Sequence, residues 1–233
     1  MVMARGEADG RADSGRRALT CLTGLLLALQ AGVAMALPGE VVLLRHGHKD
    51  RQRGDFNLSP IGLVRMEALA RVIPACLGAI DRIIVYPFDR VSGKNSRSYQ
   101  SAVPLAVATG LPITIAESAP EHSEQVGRAL LTDPALTGAR VVLIWEHRRL
   151  PDLARGLGWT TMPPIADDDF DHLDRLLYGG SSTSPTVVRE SQTVLLASAC
   201  ARKAAASALP DQPDPARGVH LDVAAWMWPP SNS

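Results

Sequence analysis

The chain has 233 residues, 46% of them hydrophobic and 21% charged, with zero formal net charge. That length supports one ordinary globular domain with a substantial core, and the balanced charge excludes the basic excess expected of a nucleic-acid binder. Aromatic residues contribute only 4%, so the core is expected to consist of Leu, Val, Ile and Ala.

In chain order, Arg16-Arg17 precedes the apolar run ALTCLTGLLLALQAGVAMA, which ends Ala34-Met35-Ala36. A basic flank, an apolar run and a small-x-small ending form the pattern of a secretory signal. Thr20, Thr23, Gln30 and two glycines make the same run a poor permanent membrane span. Residues 1–36 are therefore read as a signal peptide, and the mature protein as periplasmic or secreted, with no membrane contact after cleavage. Cys76 and Cys200 remain in the mature chain. Export permits a disulfide between them, and the sequence leaves open whether they pair.

Val41 to Leu44 is a continuous apolar run, as expected of a strand buried on both faces. It stops at Arg45, His46, Gly47, His48, Lys49 and Asp50. Leu58-Ser59-Pro60 then reads as a helix start, with Ser59 as N-cap and Pro60 at the first helical position. Ile61, Val64, Ala68, Leu69, Val72 and Ile73 recur at helical spacing until Pro74 and Gly78 end the helix. Arg82 to Tyr86 is a second buried strand, and a helix from about Arg97 to Thr109 follows a polar loop. Pro112 to Ala116 predicts a third strand, Ser123 to Leu131 a helix, and Arg140 to Trp145 the fourth and most apolar strand. Leu150 to Leu157 reads as another helix and Leu173 to Tyr178 as a fifth strand. After Gly179 the text turns linker-like, in GGSSTSPT and again in DQPDPARG. The domain is thus expected over 37–178, with 179–233 a partly flexible C-terminal extension. Strands alternating with helices predict an α/β fold, a three-layer α/β/α sandwich with a mainly parallel central sheet.

Ligands of such sheets bind beyond the carboxyl ends of the strands. His46 follows the first strand and His147 closely follows the fourth, so two separate segments bring imidazoles to one sheet edge. A neutral imidazole can attack phosphorus and form a covalent intermediate. Arginines bind phosphate through forked, charge-assisted hydrogen bonds, and positive charge around the transferring group supplies much of the rate. An acid must also protonate the leaving oxygen. A metal site on His46 and His48 with Asp50 or His147 lacks closely spaced third and fourth ligands, so neither metal nor cofactor is expected. Asp167-Asp168-Asp169 reads as a solvated loop.

Four ordered segments carry a family resemblance. Leu44-Arg45-His46-Gly47 resembles the RHG motif of the histidine phosphatase superfamily, which includes phosphoglycerate-mutase-like and acid phosphatases. Asn57-Leu58-Ser59-Pro60-Ile61-Gly62 is similar to its helix start, and Arg97-Ser98-Tyr99-Gln100-Ser101-Ala102 to its second-arginine motif. VLIWEHRRLPDLARGL resembles the strand that delivers its second histidine. The resemblance implies a phosphoric monoester hydrolase acting on a small phosphorylated substrate. It implies His46 as the phosphorylated nucleophile, with Arg45, Arg97 and His147 lining the phosphate pocket.

Glu146 stands where Gly is usual, and Arg148 stands where the acid-phosphatase branch has its proton-donating Asp. The mutase branch places its Glu between the second arginine and the second histidine, an interval that here offers Glu117, Glu121 and Glu124. Glu124 is favoured as the proton donor, then Glu121. Adjacent side chains of a strand point to opposite faces, which counts against Glu146 unless the strand has ended before it. The competing class is a non-catalytic phosphate- or phospholigand-binding module on the same fold.

Overall fold

The computed structural model describes residues 37–49, 54–117, 120–180 and 182–206. The expected signal peptide and the chain after residue 206 lie outside them. Four apolar runs form the parallel part of the sheet: β1 (Glu40–Arg45), β2 (Arg82–Val85), β3 (Ile113–Ile115) and β4 (Arg140–Trp145). They lie in the order β3-β2-β4-β1, so the two most apolar strands are neighbours at the centre. β5 (His172–Leu177) pairs antiparallel with β1, and β6 (Thr186–Ser191) pairs antiparallel with β5. The sheet is mixed, with a parallel half and an antiparallel edge.

The helices follow from capping and stripe. α1 (Pro60–Leu77) starts at Ser59, whose side chain accepts from the Gly62 amide, with Pro60 in the first turn. It runs through Pro74 instead of ending there. Proline removes only the amide that would bond Ala70 and restricts the residue before it, and a single turn remains before Gly78 stops the helix. The other helices are α2 (Arg97–Thr109), α3 (Ser123–Thr132), α4 (Leu150–Gly156), α5 (Gln192–Leu196) and α6 (Ala199–Ala206).

Strand alternation sorts the core into two layers. Val41, Leu43, Val141, Leu143 and Trp145 pack against Leu131 of α3 and Leu150, Leu153 and Ala154 of α4. Val42, Leu44, Val142 and Ile144 face Met66, Leu69 and Ile73 of α1 and Ala102 and Leu105 of α2, with Leu195 and Ala201 completing that side. This is the expected three-layer arrangement.

The expected boundary after Tyr178 is corrected: the chain continues in the same body. β6 extends the sheet beyond β5, and α6 is bound to α1 by a disulfide between Cys76 and Cys200. Among the described residues, no helix is long and apolar enough to cross a membrane.

Candidate active site

β1 and β4 run parallel in register, Arg45 beside Trp145. Both strands end there, and the His46 amide still donates to the Trp145 carbonyl at 3.1 Å. His46 and the pair Glu146-His147 therefore leave the sheet side by side. The His46 and His147 rings meet edge to face, with centroids 6.4 Å apart.

The motif glycines and serines act as supports for this edge. A Cβ on Gly47 would lie 3.0 Å from the Gly62 carbonyl oxygen and 3.1 Å from Met66 Cγ, and one on Gly62 would lie 2.4 Å from the His48 oxygen. Only paired glycines let the loop after β1 close onto the start of α1. Ser101 ties in α2: its hydroxyl donates to the Arg97 carbonyl and accepts from the Gly47 amide. Gln100 bonds the Leu58 amide and the Asn57 side chain, while Arg97 donates to the carbonyls of Asn57 and Asp55. The three motif segments are thus one hydrogen-bonded unit.

That unit and the turn after β4 enclose a cavity of about 170 Å³ lined by His46, Lys49, Asn95, Arg97, Ser98, Glu146, His147 and Arg148. His46 is 5% exposed. Its Nδ1 lies 2.8 Å from the Gly47 carbonyl oxygen; a proton placed there to donate leaves Nε2 as the basic nitrogen. Burial holds this imidazole down at about 4; the neighbouring Arg45 and Arg97 reinforce the effect, and the Gly47 carbonyl opposes it. At neutral pH His46 is an uncharged base.

His147 lies between two carboxylates. Glu146 Oε1 is 2.8 Å from its Nδ1, within ion-pair distance but off hydrogen-bond geometry, and Asp167 Oδ1 is 2.6 Å from its Nε2. Burial pushes the Glu146 carboxyl up, but His147 and the Arg148 amide together bring it below the ordinary value. The His147 contact, outweighing a small burial effect and aided by Arg148, holds Asp167 at about 2.

The structure brings together His46, His147 and Arg97 as expected, but not Arg45 or Glu124. Arg45 shares the strand face of Val41 and Leu43, opposite to His46, because strand side chains alternate. Its guanidinium donates to the carbonyls of Ala166, Asp167 and Asp169 and stacks 3.7 Å over the Phe170 ring. It holds the 166–170 loop and does not line the cavity. Glu124 lies on α3, paired with Arg128 and Arg155, and Glu117 and Glu121 are exposed. The carboxylate in the cavity is Glu146. β4 ends at Trp145, and the amides of Arg149 and Leu150 already bond back to the Glu146 carbonyl, so strand alternation no longer applies to it. Asp167, read as a solvated residue, is the other missed neighbour; its sequence shows only an acidic run.

His48 stacks on Phe170, ring centroids 4.2 Å apart, and Asp50 lies outside the described residues. Among the described residues, no group of three His, Cys, Asp or Glu side chains is placed to hold a metal ion.

No family model and no curated protein sequence matches the chain. Solved structures do. The protein histidine phosphatase SixA complexed with tungstate is 17% identical with a TM-score of 0.52, over 67% of this chain and 99% of that one. A mycobacterial glucosyl-3-phosphoglycerate phosphatase is 17% identical with a TM-score of 0.46, over 65% and 97%. Phosphoglycerate mutase from Bacillus anthracis is 12% identical with a TM-score of 0.43, over 69% and 96%. On the first of these likenesses, which spans nearly the whole of its partner, the chain has the histidine phosphatase fold.

Proposed function

We propose that the protein is a phosphatase that hydrolyses small phosphomonoesters through a phosphohistidine at His46. The observation that carries this is the buried, uncharged His46, with Nδ1 directed at the Gly47 carbonyl and Nε2 left as nucleophile in a cavity shared with Arg97 and His147. Nε2 attacks phosphorus, the phosphorus–oxygen ester bond breaks, and the leaving alkoxide takes a proton from Glu146. A water then attacks the phosphohistidine while the Glu146 carboxylate accepts its proton, which releases inorganic phosphate and restores His46. Glu146 must be protonated when substrate is bound. The entering phosphate favours that, because a second negative charge beside a carboxylate raises its pKa.

Arg97, whose Nε and one Nη2 hydrogen are held by the carbonyls of Asn57 and Asp55, would neutralise the phosphoryl oxygens through its Nη1 end and remaining Nη2 hydrogen, and His147 would donate to one of them. No step calls on a metal. Export to the periplasm or outside the cell is part of the same reading, supported by the signal-like residues 1–36 and by the Cys76–Cys200 disulfide, a bond that persists in oxidising compartments.

The test is phosphate release from a panel of phosphomonoesters with a chelator present, for wild type and His46→Ala. Turnover in wild type and its loss in the variant are expected; variant activity within about tenfold of wild type would overturn the covalent route. A second reading, a phosphate-binding module without turnover, is favoured by the ionised Glu146 of the free protein. It predicts phosphate binding with no turnover of any substrate in the panel.

A further inference from the structure

The core-facing stripe of α2 is Ser98, Ser101, Ala102 and Leu105, all buried. Helical spacing makes these positions equivalent in direction, and a structural role would be met by apolar residues at each. Two are serines, and their hydroxyls differ. Ser101 is fully used, donating to the Arg97 carbonyl and accepting from the Gly47 amide. Ser98 is 1% exposed, yet its hydroxyl has no hydrogen-bond partner in the protein.

A buried hydroxyl without a partner is destabilising, since it has given up water and gained nothing. An alanine would fill the position at no such cost. The hydroxyl therefore calls for a partner from outside the protein. Ser98 lines the cavity that also holds His46, Arg97 and His147.

Its surroundings define the partner's charge. Ser98 is the second residue of α2, and the first amides of a helix have no carbonyl within the helix to bond. Ser96 at the cap makes no side-chain hydrogen bond to them, so they are not neutralised from that side. Helix amides at this end favour an anion. Asn95, in the left-handed conformation at φ 69°, turns the chain into this helix and lines the same cavity.

We propose that the Ser98 hydroxyl is a direct ligand of the anion, donating its proton to one non-bridging oxygen of the tetrahedral oxyanion that the cavity takes. Unlike Arg97 it adds no charge. It fixes the rotational setting of the group from the wall formed by α2, while Arg97 supplies the electrostatic attraction. The proposal rests on the phosphate-binding reading above and adds to it a residue that the resemblance does not assign.

The test uses full-length protein and inorganic phosphate. Calorimetric titration should show Ser98→Ala binding phosphate about tenfold more weakly than wild type, the usual weight of one hydrogen bond to a charged group. The ligand-free melting temperature of the variant should equal or exceed that of wild type, because the hydroxyl has no partner to lose. A merely structural serine would lower it. Ser98→Cys, with nearly the same shape and a much weaker donor, should lose affinity similarly and guards against a packing defect in the alanine variant. Unchanged phosphate affinity in both variants overturns the proposal, as does a lowered melting temperature in both. Failure of wild type to bind phosphate at all refutes the phosphate reading itself and is seen before any variant is made.

Discussion

The burial of His46 makes a quantitative prediction about acid stability. An unfolded imidazole titrates near its ordinary value of 6.5, whereas burial holds the native one at about 4. Above pH 6.5 neither state is protonated and the native protein has its full stability. Between pH 6.5 and about 4 the unfolded chain takes up a proton that the native His46 refuses, so stability falls as the pH falls. Below about 4 both states carry the proton and the loss is complete. The gap corresponds to about 3 kcal/mol, a large share of the 5–15 kcal/mol typical of a folded domain. Solvent offers little relief, because His46 is only 5% exposed.

Acidic groups with lowered values, Asp167 and Asp171 among them, also weaken the fold on acidification. A comparison with His46→Asn removes their common part. Asparagine can still donate from the Nδ1 position to the Gly47 carbonyl, but does not titrate. Urea denaturation followed by tryptophan fluorescence, at pH 7 and pH 4, should show wild type losing about 3 kcal/mol more than the variant between the two conditions. Equal losses would show that His46 is not a buried neutral base, and the nucleophile assignment would fall with it. The same physics requires that the acid limb of kcat/KM not be set by a His46 ionisation near 6.5.

Three further outcomes follow from particular contacts. In the first turnover, read by rapid quench, Glu146→Gln should slow cleavage of alkyl phosphates by about a hundred- to ten-thousandfold and spare p-nitrophenyl phosphate, whose phenolate leaves unaided. Steady-state turnover of both should fall, because Glu146 also takes the proton of the attacking water. Glu124→Gln should do neither, and the reverse result would restore Glu124 as the acid. Reducing the Cys76–Cys200 disulfide, which spans 124 residues of sequence, should cost about 2–5 kcal/mol; an unchanged urea midpoint with reductant contradicts this. Asp167→Ala should tighten inorganic phosphate binding several-fold by freeing His147 Nε2 and removing a negative charge, whereas weaker binding would make Asp167 a necessary partner of His147.

The elements that the sequence makes plain are those whose own residues determine them. β1 and β4 are apolar on both faces, α1 carries its cap in Ser59-Pro60, and α2 begins at Arg97 and ends before Gly110. β6 is different. Thr186–Ser191 has only partly buried or exposed residues, and it is a strand because β5 presents an open edge to it. No window of sequence contains that cause. The disulfide is similar, since it depends on α6 lying against α1. The residues that bring the site together, His46, Arg97 and His147, are legible because each sits at a strand end or helix start. That the cavity carboxylate is Glu146 was not legible, because every candidate carboxylate looks alike until the end of β4 is known to within one residue.

Strand alternation decides more of this site than residue type does. It argues against Glu146 only while β4 lasts, and the turn beginning at Glu146 removes the objection. The same rule, applied at the end of β1, separates Arg45 from His46 although they are adjacent and both suited to phosphate. Arg45 is sent into the 166–170 loop, where three carbonyls and the Phe170 ring occupy it. Its loop, residues 166–170, in turn delivers Asp167 to His147. One arginine thus acts on the pocket from outside, by fixing the segment that holds the second imidazole. Of the two guanidinium groups that line the cavity, Arg148 lies beside Asp167, and Arg97 stands at the first turn of α2. In the proposed reading the anion is held from the α2 side, and His46 and His147 line the same cavity from the ends of β1 and β4.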